Sequence, residues 1–107
     1  MNCAVVLLEA AEWDLLDIHQ YIELNDSPES ADKLLSGLER IIAALETMPE
    51  RGHFPPELER IGIRLYREIH FKPYRIIYAI DDATVSVYAV LDGRRDMQTL
   101  LHHRILR

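Results

Sequence analysis

Seven side chains in the C-terminal half of this 107-residue chain could do chemistry together: Arg67, Arg75, Arg94 and Arg95 as cations, His70, His102 and His103 as proton carriers. Guanidinium groups beside a proton-transfer group are what attack of a 2′-hydroxyl on a phosphodiester requires. The base takes a proton, and the cations stabilise the charge that develops on phosphorus. The same arginines serve equally well as braces, with stems packed on apolar neighbours and guanidinium groups hydrogen-bonded, and the bracing reading is preferred for strand residues. His102 and His103 read as solvated side chains of a terminal helix. Adjacent helix residues point in different directions and no ligand partner for them is evident, so no metal site and no cofactor is expected. Cys3 lies in an apolar run and reads as a small core residue, not a nucleophile.

The formal charge is −6, and it is segregated. Residues 1–59 hold 13 acidic and 3 basic side chains, whereas residues 60–107 hold 5 acidic and 9 basic ones. A chain built to grip phosphates over its whole surface would be basic, so direct nucleic-acid binding is not expected. The single cysteine excludes an intrachain disulfide and suits a reducing compartment. The N-terminal apolar run stops at Glu9, too short for a signal peptide or a membrane span, so a cytoplasmic protein without membrane attachment is expected. The length suits one domain, residues 1–107.

The elements that must position these groups are legible from period. Cys3–Leu8 suits a buried strand. From Ala10, Ala11, Leu15, Ile18 and Ile22 recur at helical spacing, with Trp13 and Tyr21 as packing residues at the edge of the stripe. Ser27 and Pro28 cap and open a second helix whose stripe runs from Ala31 to Leu45 and which Pro49 ends. Gly37 interrupts that stripe, as a close helix crossing would explain. Glu50–Leu58 is a Gly/Pro loop. Three strands follow, broken at Lys72-Pro73 and at Asp81-Asp82-Ala83. The second strand is apolar on both faces and is therefore central. Met97, Leu100, Leu101 and Ile105 suggest a short closing helix. The fold expected is α+β, a β-α-α-β-β-β antiparallel sheet packed under an antiparallel helical hairpin, with a short C-terminal helix.

Several strings carry a family likeness: Ser27-Pro28, Met48-Pro49-Glu50-Arg51-Gly52, Tyr66-Arg67-Glu68 with Lys72-Pro73-Tyr74-Arg75-Ile76-Ile77-Tyr78, and Gly93-Arg94-Arg95-Asp96 leading to Leu100. In this order and spacing, over nearly the whole chain, they resemble the RelE/ParE superfamily of type II toxin–antitoxin toxins, and within it the ParE branch. The resemblance implies a growth inhibitor neutralised by a ParD-like antitoxin in a hetero-oligomer. It implies the DNA gyrase A subunit as target, bound and stalled in its cleaved complex without catalysis by the toxin. RelE-like relatives instead cleave messenger RNA on the ribosome, and a non-toxic chromosomal copy acting only in an antitoxin complex is the third alternative. Fold alone does not choose among them. The Glu50–Ile63 loop lacks the lysines of the nuclease branch, and net acidity fits ribosome binding poorly.

Arg67, Tyr74, Arg75, Arg94, Arg95 and Asp96 form the candidate basic cluster, either structural or attracting an acidic antitoxin segment. Leu100, Arg104 and Arg107 on the last helix are candidates for target contact, as is the exposed face of the hairpin. An antitoxin could add to a sheet edge or lay a helix between hairpin and sheet.

Overall fold

The computed structural model describes residues 2–106. In chain order it contains β1 (Ala4–Leu7), α1 (Glu9–Asn25), α2 (Pro28–Ala43), α3 (Pro56–Glu59), β2 (Tyr66–Phe71), β3 (Tyr74–Asp81), β4 (Thr84–Asp92) and α4 (Met97–Ile105). Short 3₁₀ turns at Ala44–Glu46 and Pro49–Arg51 continue the descent from α2. The fold is α+β, as expected.

The four strands lie in the order β1-β4-β3-β2. β2, β3 and β4 form the antiparallel meander, with β3 central. Asp82 takes φ 54° in the β3–β4 turn, a left-handed conformation that a short polar side chain tolerates. The sheet as a whole is mixed rather than antiparallel, because β1 pairs with β4 in parallel register, Ala4 opposite Thr84 and Leu7 opposite Val87. The reason is topological. A tight turn forces the next strand to run backwards, whereas the long helical crossover after β1 leaves its direction free.

Ser27 caps α2 by accepting from the Ser30 amide at 3.0 Å, and Pro28 occupies the first helical position. The hairpin buries Ala11, Leu15, Leu38 and Ile42 against Ile76, Tyr78 and Val87 on one face of the sheet. Removing a side chain such as Leu38, wholly inaccessible here, costs about 2–5 kcal/mol. The opposite face is covered too: Ile77, Ala89 and Leu91 pack with Leu58 of α3 and with Met97 and Leu101 of α4. β3 is thus enclosed on both faces, which is why its sequence is apolar at successive positions.

Gly37 marks a helix–sheet contact, not a helix crossing. A Cβ there would lie 2.4 Å from Phe71 Cζ at the end of β2. Trp13 and Tyr21 are also not edge packing. With Leu16 and Leu24 they leave a row of exposed apolar side chains along α1, Leu24 being 75% exposed. The pattern reading failed there because α1 is apolar on two sides, and only one can face the sheet.

Candidate functional site

The two strand arginines point to opposite faces. Arg67 stands opposite Tyr78, on the hairpin side. It donates to the Gly52 carbonyl at 2.9 Å and stacks 4.8 Å above the Phe54 ring. Buried Tyr78 completes the same clamp. Its hydroxyl donates to the Pro49 carbonyl at 2.7 Å and accepts from the Gly52 amide at 3.0 Å. Burial pushes the Tyr78 hydroxyl up from its ordinary pKa. A Cβ at Gly52 would lie 2.5 Å from that hydroxyl, so the Pro49-Glu50-Arg51-Gly52 string is the geometry of a loop gripped by a tyrosine and an arginine.

Arg75 stands beside His70 on the far face. Its guanidinium forks onto Glu57 at 2.7 and 3.0 Å, and its Nε donates to Glu68. These two carboxylates hold Arg75 firmly cationic, and the Arg75 bond holds Glu57 below the usual carboxylate range. Arg67 and Arg75 are therefore both engaged by the protein itself. The structure does not gather the six residues of the candidate cluster at one point.

Glu68 is 1% exposed, and its second oxygen is met by two exposed histidines. His53 Nε2 lies 2.8 Å and His70 Nε2 3.5 Å from it. His70 arrives by strand alternation, two residues after Glu68 on the same face. His53 arrives by an isolated antiparallel bridge, its amide donating to the Glu68 carbonyl at 3.1 Å and the Glu68 amide returning 2.7 Å to the His53 carbonyl. His102 and His103, by contrast, are exposed on α4. Sequence reasoning missed the His53–Glu68–His70 group. The Glu-x-His spacing on a strand was the only local signal, and the third member lies 15 residues upstream in a loop.

Of the remaining candidates, Tyr74, Arg94, Arg95, Leu100 and Arg104 line a groove between α1 and β4. β1 stops opposite Val87, but β4 continues to Asp92, leaving its outer edge without a strand from Tyr88 onward. Side chains occupy part of that edge. Asp14 of α1 accepts from the Val90 amide at 2.9 Å, and Arg104 of α4 donates to the Tyr88 carbonyl at 3.1 Å. Arg104 and Asp14 also pair with each other at 2.9 and 3.0 Å, so Arg104 ties α4 to α1 across the sheet edge. Leu100 packs against the far core, half-buried. Beyond them lie Tyr74, which burial pushes up from its ordinary pKa, and Tyr21, with Ile18 and Ile22 forming the α1 wall.

At the mouth of the groove, Arg94 is 75% exposed while paired at 2.7 Å with Asp92, whose carboxyl it holds below the usual range. The Arg95 side chain is exposed and makes no hydrogen bond or ion pair among the described residues. Asp96 caps α4, accepting from the Thr99 amide at 3.2 Å and its hydroxyl at 2.8 Å, and these bonds lower its pKa. Arg107 lies outside the described residues. No helix among the described residues is long and apolar enough to cross a membrane.

Comparison with known proteins bears on what this arrangement serves. The structure is similar to a solved chain described as a chromosomal ParDE TA system from P. aeruginosa, with TM-score 0.70 and 14% identity, covering 82% of this chain and 92% of that one. At that identity the likeness is one of fold. No curated protein sequence matches. The model of the ParE toxin of the type II toxin–antitoxin system parDE matches residues 5–97. That match takes in the hairpin, all of the sheet but Ala4 and the start of α4, and the chain belongs to the ParE toxin family of type II toxin–antitoxin systems.

Proposed function

We propose that this toxin arrests growth by binding the DNA gyrase A subunit and stalling its cleaved complex, and that a ParD-like antitoxin neutralises it by occupying the groove between α1 and β4. No catalytic group of its own is needed. A protein that binds the cleaved state more tightly than the intact one shifts the population toward breaks, with gyrase supplying the chemistry. The observation that carries the reading is the half-open edge of β4 beneath α1, flanked by Arg94 and Arg95. Beyond the positions held by Asp14 and Arg104 it offers strand-edge backbone groups to an extended partner segment, and its cations suit an acidic one. The exposed row Trp13, Leu16, Tyr21 and Leu24 beside it extends an apolar surface of the kind that marks protein contacts. The engagement of Arg67 with Gly52, and of Arg75 with Glu57 and Glu68, weighs against the RNA-cleaving alternative, which needs those cations free for phosphate.

The test is a supercoiling and cleavage assay with purified gyrase, plasmid and ATP, with and without the adjacent antitoxin. Linear, protein-linked DNA that disappears when antitoxin is added first is the expected result. Unimpaired supercoiling at large molar excess of toxin rejects gyrase as the target. Cleavage of messenger RNA on ribosomes would then return the nuclease alternative.

A further inference from the structure

We propose that His53, Glu68 and His70 form a binding site for a divalent transition-metal ion, with Zn²⁺ the foremost occupant. Their ligand atoms all lie within 4.8 Å of one another, and the two contacts to Glu68 are 2.8 and 3.5 Å. Ligands bound at 2.0–2.2 Å in a tetrahedral arrangement sit about 3.4 Å apart, so small movements of two imidazoles suffice to close the set on an ion. Those imidazoles are free to make them, His53 being 60% and His70 45% exposed. The carboxylate is not free, and that is the second argument. Its inner oxygen accepts from Arg75, which Glu57 holds in turn, so the outer oxygen is fixed toward the histidines by the outer-shell arrangement that metal carboxylates use.

Charge points the same way. Two carboxylates, Glu57 and Glu68, share one guanidinium, Arg75, leaving one negative charge at a group that is 1% exposed. A cation at the imidazole side would neutralise it. Two nitrogen donors with one oxygen select the zinc, copper and nickel class over magnesium or calcium. Three protein ligands on an exposed face also leave a coordination position open to water or to a fourth donor. An ion here would bolt the His53 loop to the edge strand β2, at the end of the segment that Tyr78 and Arg67 already grip.

The experiment uses the full chain without an affinity tag, stripped with chelator. It is titrated with ZnCl₂ by calorimetry and with CoCl₂ by visible absorption, with MgCl₂ as the contrast. One saturable equivalent of Zn²⁺, and the visible bands of four- or five-coordinate cobalt, are expected. His53→Gln and His70→Gln should each weaken binding by more than the ~100-fold that marks the upper end of what loss of an outer-shell partner costs. The double substitution H102Q/H103Q should leave it unchanged. Both ligand histidines are exposed, so their variants keep the fold, checked by equal urea midpoints in chelator. No Zn²⁺ binding by the wild-type chain at millimolar concentration overturns the site. So does binding that survives either ligand substitution, or that is lost with H102Q/H103Q.

Discussion

Gly37→Ala tests the contact between α2 and the end of β2, and it is informative because two effects of known size oppose each other. In a helix interior, alanine is favoured over glycine by about 1 kcal/mol. Against that, the added methyl would meet the Phe71 ring at 2.4 Å from Cζ and 3.0 Å from Cε2, roughly an ångström inside ordinary contact. Overpacking of this kind costs about 1–3 kcal/mol. The ring is half-buried and can yield somewhat, so the expected net effect is a destabilisation of about 1 kcal/mol. Removing the obstacle should reverse the sign. In a Phe71→Ala background, Gly37→Ala should stabilise by about 1 kcal/mol, a coupling of about 2 kcal/mol between the sites. Urea unfolding of the four proteins, followed by circular dichroism, gives the midpoints, and an unchanged slope confirms that the same transition is compared. If Gly37→Ala stabilises the parent chain by its full helical preference, or if the two substitutions add, the close approach of Phe71 to α2 does not govern this position.

Asp14→Ala and Arg104→Ala should each destabilise by about 2 kcal/mol, because both are shielded and each strands the other and a strand-edge backbone group. The double variant should cost much less than the sum when measured by the same urea series. Stability should fall as pH drops below about 4: the Glu57, Asp92 and Asp96 carboxyls are depressed in the folded chain, so their contribution is complete above the ordinary carboxylate range and disappears as pH descends through the lowered values. A flat midpoint from pH 6 to pH 3 would contradict that sign. Reversing Arg94 and Arg95 to glutamate should weaken binding of a ParD-like antitoxin about tenfold at low salt, and less at high salt, when read by surface plasmon resonance. Equal affinity at low salt would remove charge from the docking argument.

What could be read along the chain was what short-range chemistry decides. The Ser27-Pro28 cap, the meander and the doubly apolar β3 all express rules that span a few residues, and all three stand in the structure. The direction of β1 was not legible, because nothing within Cys3–Leu8 records which strand end it will meet after two helices. That Arg67 and Arg75 brace the fold is legible from their places on strands, but their partners, a loop carbonyl and two carboxylates, are 15, 18 and 7 residues away. The structural tie of Arg104 to Asp14 leaves no local trace, because the bond spans 90 residues. His53 escaped notice for the same reason: only the bridge to Glu68 reveals it.

The early stop of β1 has a consequence for the toxin once it is alone. A strand that outruns its neighbour is a template on which another copy's strand can grow, and such growth does not terminate by itself. Asp14 and Arg104 fill the two backbone positions nearest the stop with charged groups borrowed from the helices on either side. An incoming strand must first pull both away and leave them uncompensated, a barrier that any segment offering only backbone groups meets in full. The self-made plug thus separates partners by what they bring: one that replaces the lost pairings can enter, and one that brings only backbone is turned back toward solution.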